Sequence, residues 1–142
     1  MTTKPDPGWK LAADDKRARL DIYDAIGDWG LFGGVSAKDV RDSLAELDGN
    51  KPIDVHINSP GGQAFDGITI FNQLDQHKGR VSVYIDGLAA SAASVVAMAG
   101  DDIYMAENAM MMLHNAAGVA LGNADTMSKM AGELEKLDSV IA

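Results

Sequence analysis

Three stretches of this sequence hold residue types that acyl-transfer chemistry requires. A glycine turn, Gly61–Gly62, follows Ser59 and Pro60, a serine stands among alanines at Ser91, and an apolar run ends at His114. A serine hydroxyl attacks a carbonyl only when a nearby base removes its proton and hydrogen-bond donors stabilise the resulting oxyanion. The three stretches, in this order, make a serine hydrolase the hypothesis to test.

Ser91 is the candidate nucleophile because of the sequence on either side of it. The β-prone run Val81–Ile85 precedes it, and the small and apolar residues of Ala89–Ala99 suit a buried helix. A serine at a strand-to-helix junction is exposed, and the N–H groups that begin the helix point toward developing negative charge. Taken alone, such a serine is more often a residue that a tightly packed helix tolerates. Ser94 is a weaker candidate, since it would sit inside the helix.

His114 is the candidate base because it ends an apolar run, and catalytic side chains commonly cluster where strands end. A lone histidine in that position is more often a packed, hydrogen-bonded residue, so both interpretations stay open. His56 lies within a predicted strand and His77 at a predicted helix end, and we expect both to be structural or exposed. No pair of histidines has the spacing of metal ligands, so the sequence predicts no metal site.

Gly61 and Gly62 are the candidate oxyanion turn. Tandem glycines after Pro60 allow positive φ and a close approach of the backbone to a ligand. Considered alone, an ordinary turn explains them equally well. No Gly-Lys-Ser/Thr follows, which excludes a phosphate-binding loop of the nucleotide type.

Composition and charge exclude several classes of protein. The chain has 142 residues, enough for one domain with its own core, and no cysteine, so disulfides and thiol chemistry are excluded. The net charge of −9 argues against binding nucleic acid or an anionic membrane. No apolar run approaches the roughly 20 residues that span a bilayer, and no signal-peptide core is present. We expect a soluble, cytoplasmic protein without a cofactor.

Hydrophobic periodicity predicts an α/β fold. Residues 1–15 lack a sustained period and are predicted to form a loose arm. The predicted strands cover 19–26, 52–57, 81–85, 102–106 and 109–113, and the predicted helices cover 36–47, 65–77, 89–99 and 123–142. Ser36 is the predicted N-cap of the first helix, and Asn123 or Asp125 that of the last. Alternating strands and helices predict a mainly parallel sheet with right-handed crossovers.

At the chemically interesting residues the sequence resembles a known family. Asn58–Gly62, Gly87–Ser91 and Met112–Asn115 resemble the three signature segments of the proteolytic subunits of Clp proteases, and the likeness extends from about Leu20 to Ala142. Three further segments are similar to the phage and prophage branch of that family, the Clp-related head maturation proteases. They are Tyr23–Gly30, Phe65–Ile68 and Tyr84–Ser94.

The resemblance implies a fold and an assembly. The fold would be a crotonase-like spiral of ββα units, forming a protease domain over residues 18–142 after a flexible arm at 1–17. The helix 123–142 would be the projecting handle that packs the subunits of two rings together. The implied substrates are capsid or scaffold proteins. Ring size and any unfoldase partner stay open.

The resemblance also implies roles for five residues. Ser91 would be the nucleophile and His114 the general base. The oxyanion hole would use the backbone N–H of Gly62, or of Gly61, together with that of Ala92. Cofactors and metals are not implied.

One departure from the family is expected to matter. The family's triad aspartate lies downstream of residue 142, and neither Asp125 nor Asp138 matches its motif. Without an aspartate that fixes the tautomer of His114, we expect a C-terminally truncated chain with little or no activity. The absent aspartate leaves open a catalytically silent ring subunit of the same fold. Because the crotonase superfamily shares the implied spiral and uses paired backbone N–H groups, an acyl-CoA enzyme of that type is a further alternative.

Overall fold

A computed structural model describes residues 8–142, so the first seven residues of the predicted arm lie outside the described part. The strands are β1 (Trp9–Ala13), β2 (Ala18–Ile22), β3 (Ile53–Ser59), β4 (Val81–Ala90), β5 (Asp102–Met105) and β6 (Met110–Met112). The helices are α1 (Ala37–Ala45), α2 (Ala64–Asp75), α3 (Ala92–Ala97) and α4 (Ala124–Ile141), with a short 3₁₀ helix at Gly30–Phe32.

The six strands form one sheet whose order is β1-β2-β3-β4-β5, with β6 also pairing with β4. All pairs from β2 onward are parallel, and only β1 and β2 run antiparallel. The predicted α/β fold with a mainly parallel sheet is confirmed. Because helices connect the parallel strands, the carboxyl ends of β3, β4 and β6 come together at one edge, where the predicted site residues follow them.

The core lies between the sheet and helices α1, α2 and α3. Every second side chain of the central strands is fully buried, which is the alternation expected of a strand with one covered face. The buried residues of β2, β3 and β4 include Leu20, Ile22, Ile53, Val55, Ile57, Val83 and Ile85. These central strands form a rigid base for the residues that follow them.

The prediction of a loose arm is wrong for Trp9–Ala13, which forms β1 and pairs antiparallel with β2. The connecting turn explains the pairing. Asp14 Oδ1 accepts hydrogen bonds from the N–H groups of Lys16, at 2.7 Å, and Arg17, at 2.8 Å. An aspartate that satisfies its own turn in this way closes a hairpin. The strand signal was hidden because a five-residue edge strand with mostly exposed side chains has little hydrophobic period.

The predicted helix 89–99 is wrong at its start, because β4 continues through Ala90 and α3 covers only Ala92–Ala97. Alanine favours helices, but here the pairing of Leu88, Ala89 and Ala90 with β6 holds them in the sheet. Likewise the predicted strand 19–26 ends at Ile22.

Two helix starts match the sequence prediction. Ser36 caps α1 in a capping box, since its side chain accepts from Asp39 N–H while the Asp39 side chain accepts from Ser36 N–H. Asn123 caps α4 by accepting from Thr126 N–H at 3.1 Å. Helix α4 has no buried residue. Over residues 8–142, none of the helices is both long and apolar enough to cross a bilayer.

Truncating a core leucine tests the packing of the sheet. Leu20 is 0% exposed in β2, whereas Leu31 is 91% exposed in the 3₁₀ helix. We expect Leu20→Ala to lower the free energy of unfolding by about 2–5 kcal/mol, because it removes buried methyl groups and leaves a cavity. The matched change Leu31→Ala should stay within about 0.5 kcal/mol of the parent. Denaturant unfolding measures both, and equal losses in the two variants would contradict the described core.

Candidate active site

Ser91 occupies the turn between β4 and α3. Its backbone has φ 54° and ψ −125°, and across residues 8–142 it is the one non-glycine residue with positive φ. A side chain in that region costs on the order of 1–3 kcal/mol and persists only where the surrounding structure enforces it. Such a strained strand-to-helix turn presents a serine Oγ outward, as in the nucleophile elbow of α/β-hydrolases. Here the strain is enforced in part by the Ser91 N–H, which donates to the Met112 carbonyl at 2.9 Å.

A cavity of about 430 Å³ joins four of the five predicted site residues. Ser91, Ala92, His114 and Gly62 all line it, whereas Gly61 does not. This volume lies within the usual range of about 300–1,000 Å³ for ligand sites. A second, mostly apolar cavity of about 500 Å³ lies between α2, α3 and the end of α4 and shares lining residues with the first, among them Ser94 and Val95.

Gly61 lies behind the cavity wall, against the turn at Ser91. A Cβ atom added to Gly61 would lie 2.4 Å from the Ala90 carbonyl oxygen and 2.7 Å from Ser91 Cβ, so no side chain fits. Its φ of 89° also favours glycine. Its N–H donates to Ser59 Oγ at 3.2 Å, so this donor is already in use.

Gly62 is the glycine whose N–H remains available. Within residues 8–142 this N–H meets no acceptor. Ile26 fixes its position from the other side, because Ile26 N–H donates to the Gly61 carbonyl and the Ile26 carbonyl accepts from Gln63 N–H, both at 2.9 Å. Ala92 begins α3, and the first N–H groups of a helix have no intrahelical acceptor. Gly62 and Ala92 therefore supply two backbone donors on the cavity that holds Ser91.

His114 follows β6 by two residues and is exposed on the cavity. Its Nδ1 lies 2.5 Å from the backbone carbonyl oxygen of Asn115. Because a carbonyl oxygen can only accept, Nδ1 carries the proton and Nε2 is left as a proton acceptor. Asp138 also lines the cavity, but its Oδ1 accepts from Ala116 N–H at 2.6 Å and is not bonded to His114. A neutral carbonyl thus holds the imidazole where hydrolase triads use a carboxylate.

Comparison with known proteins fits this geometry. The family model described as Clp protease matches residues 35–142. This chain belongs to the Clp protease family. Its mixed sheet, with helices joining parallel strands, is a ClpP-like α/β fold.

Two curated relatives are similar over about two thirds of this chain. An ATP-dependent Clp protease proteolytic subunit from Bacteroides fragilis is 33% identical over 96 residues, which are 66% of this chain and 46% of the relative. A protein of the same description from Bacteroides thetaiotaomicron is 32% identical over 96 residues, 66% of this chain and 44% of that relative. The Clp-family chain thus spans less than half the length of these relatives.

Three polar residues from distant parts of the chain meet at Asp86, and no sequence pattern indicated this group. Tyr23 O–H and His56 Nδ1 both bond to Asp86 Oδ2, the latter at 2.8 Å. The His56 ring stacks on Tyr84, with centroids 4.7 Å apart. Tyr23 and Asp86 both lie in segments that carry the family resemblance, but their contact spans 63 positions and has no local signal.

Asp86 and Tyr23 shift each other's ionisation. Burial of Asp86 opposes its ionisation, but hydrogen bonds from Tyr23 and His56 hold the pKa of its carboxyl below the ordinary value. The hydrogen bond to Asp86, together with burial, raises the pKa of Tyr23 from 10.0 to about 12. The bonded pair is therefore stable in the form with Asp86 ionised and Tyr23 protonated.

A titration tests this pair. Because the folded pKa of Tyr23 exceeds its unfolded value, its stabilisation is complete below pH 10 and is lost as pH rises from 10 toward about 12. We expect the difference in tyrosinate absorbance between parent and Tyr23→Phe to show a midpoint near pH 12. The free energy of unfolding should also fall more steeply over this range in the parent. A Tyr23 midpoint at 10.0 would contradict the bond to Asp86.

Substituting Gly61 tests the close contact at Ser91. We expect Gly61→Ala to lower the free energy of unfolding by about 1–3 kcal/mol, through strain at positive φ and collision with the Ala90 carbonyl. Gly49→Ala is the matched control, because an added Cβ meets nothing within 4 Å there. Denaturant unfolding compares the two. If Gly61→Ala unfolds like Gly49→Ala, the glycine turn does not press on Ser91 as described.

Proposed function

We propose that this chain is a serine-type endopeptidase that cleaves peptide bonds through an acyl-enzyme. Its nucleophile is Ser91, its general base is His114, and its oxyanion donors are the N–H groups of Gly62 and Ala92. The observation that carries this proposal is the strained turn at Ser91, opening on the cavity that His114 also lines. Membership in the Clp protease family supports the same reaction.

The proposed reaction has two halves, acylation and deacylation, and each group acts in both. His114 Nε2 takes the proton of Ser91 Oγ as the oxygen bonds to the substrate carbonyl carbon. The carbonyl oxygen becomes an oxyanion and accepts hydrogen bonds from Gly62 and Ala92 N–H. His114 then gives its proton to the leaving amine, and the carbon–nitrogen bond breaks. Water attacks the resulting ester with His114 again as base, which releases the acid and restores Ser91.

The proton on Nδ1 of His114 gives the ring the tautomer that this reaction needs. The Asn115 carbonyl that holds it is uncharged, so it stabilises the imidazolium formed during attack less than a carboxylate would. We therefore expect slow acylation with this acceptor alone.

The substrates and assembly are part of the proposal. The likeness of Tyr23–Gly30 and Tyr84–Ser94 to head maturation proteases supports a phage or prophage enzyme acting on capsid or scaffold protein in the host cytoplasm. The apolar cavity beside Ser91 suits side chains of an extended peptide. A homo-oligomer is supported by α4, which has no buried residue of its own. We propose a ring in which this helix contacts other subunits.

An active-site probe tests the nucleophile. We expect a fluorophosphonate to form an adduct at Ser91, located by peptide mass spectrometry, and Ser91→Ala to abolish it. Ser94→Ala should retain the adduct, because the Ser94 hydroxyl is buried and donates to the Ser91 carbonyl at 2.6 Å. His114→Gln should slow labelling by about 10²–10⁴-fold through loss of the base.

The controls separate the alternatives. His77→Gln is matched to His114→Gln, because His77 bonds to the Lys51 carbonyl away from the cavity, and its labelling rate should equal that of the parent. An adduct at Ser94 would reassign the nucleophile. A folded parent chain that forms no adduct would overturn the peptidase proposal and favour a silent ring subunit. Turnover of an acyl-CoA without labelling would favour the crotonase-type alternative.

A further inference from the structure

Three neighbouring strands are tied together at one carboxylate oxygen. Tyr23 directly follows β2, His56 lies in β3, and Asp86 lies in β4. The Tyr23 O–H and the His56 Nδ1–H both donate to Asp86 Oδ2. An ionised carboxylate only accepts, so both partners act as donors. We call these three residues the Asp86 clamp.

The sheet changes register immediately after the clamp. Ile57 pairs with Ile85, but the next pair is Ser59 with Ala89, so β4 advances four residues while β3 advances two. The two additional residues of β4 form a bulge over Asp86–Leu88. Asn58 closes it, because its Oδ1 accepts from Leu88 N–H at 3.2 Å.

This register shift decides what lies opposite Ser91. Ser91 is three positions after Leu88, directly past the end of β4, and Gly61 is two positions after Ser59. A side chain on Gly61 would collide with the Ala90 carbonyl and Ser91 Cβ, so the two segments are in close contact in the shifted register. A bulge is a device that re-aims the residues after it. Here those residues end in Ser91.

The clamp is better suited to fixing geometry than to supplying stability. The side chain of Asp86 is 34% exposed and Tyr23 is 45% exposed. Polar contacts so accessible to water contribute less to the free energy of unfolding than buried contacts do. Because they lie directly before the bulge, they have a larger effect on the path of β4 after it than on stability.

We propose that Asp86 is a positioning residue that, through Tyr23 and His56, holds the β4 bulge in the register that sets Ser91 against Gly61. It touches no reacting atom, and its effect on catalysis rests on the peptidase function proposed above. Without the clamp the bulge gains freedom, Ser91 Oγ leaves its alignment with the Gly62 and Ala92 donors, and acylation slows. The apolar cavity that would bind substrate side chains is lined by other elements and stays intact.

The test compares two carboxylates on the same sheet. The variants are Asp86→Ala and the milder Tyr23→Phe, which removes one donor and keeps the carboxylate. The matched control is Asp54→Ala, because Asp54 lies in β3 on the same face as His56 and accepts from Arg17 Nε at 2.8 Å, far from the bulge. Each variant is measured for its fluorophosphonate labelling rate, for kcat and KM on a peptide, and for amide hydrogen exchange at Leu88 and Ser91.

We expect Asp86→Ala to slow labelling and lower kcat on the order of ten- to a hundredfold with KM unchanged, since small misplacements of reacting groups have effects of that size. Tyr23→Phe should give a smaller loss in the same direction, and Asp54→Ala none. Amide exchange at Leu88 and Ser91 should become faster in the two clamp variants only. If Asp86→Ala does not fold, Tyr23→Phe decides the comparison.

The outcomes distinguish this proposal from the proposed function. If the parent is labelled and both clamp variants are labelled at the parent's rate, the clamp has no positioning role. If the parent is not labelled at all, the peptidase proposal fails, and amide exchange then decides the clamp alone. Unchanged amide hydrogen exchange at Leu88 and Ser91 in Asp86→Ala would overturn the positioning role of the clamp. A rise in KM with kcat unchanged would also overturn it, because that result means lost substrate binding.

Discussion

The contact between Gly61 and the turn at Ser91 is the constraint on which the described site depends. The two segments are packed closely here. Gly61 has no space for a side chain, and Ser91 has a backbone conformation that serine rarely adopts. Gly62 is fixed in turn by the bridge with Ile26. Hydrogen bonds within the chain therefore hold the backbone on both sides of this contact.

The strain at Ser91 can persist because the sheet beneath it is rigid. Side chains that are fully buried alternate along β2, β3 and β4, and burial of one such side chain contributes roughly 1.5–3 kcal/mol. Several of them outweigh the cost of one strained residue, which is on the order of 1–3 kcal/mol. The fold thus tolerates a local conformation that the isolated segment would not adopt.

The sequence predicted correctly those features that depend on residues close together in the chain. Alternating strands and helices predicted the α/β fold, and residue types that favour helix N-caps predicted the cap at Ser36 and, as one of two candidates, the cap at Asn123. The order of the motifs also placed Ser91 and His114 at strand ends, and the structure brings both to one cavity. Their catalytic roles stay predictions.

The sequence did not predict those local structures and contacts that depend on a residue far away in the chain. Ala89 and Ala90 belong to β4 because β6 pairs with them, whereas their own propensity favours a helix. The contact of Tyr23 with Asp86 is equally invisible in a local window, because the side chains meet only after three strands have paired.

The short strand β6 limits how this region of the chain can change in length. It pairs with the end of β4 through three residues and reaches His114 two residues later. A slip of one residue in that ladder would carry His114 about 3.3 Å along the strand, further than a hydrogen bond is long. An insertion or deletion between Met110 and His114 would therefore move His114 relative to Ser91, whereas β5 pairs with a different part of β4 and does not fix the length of the turn before Met110 in this way.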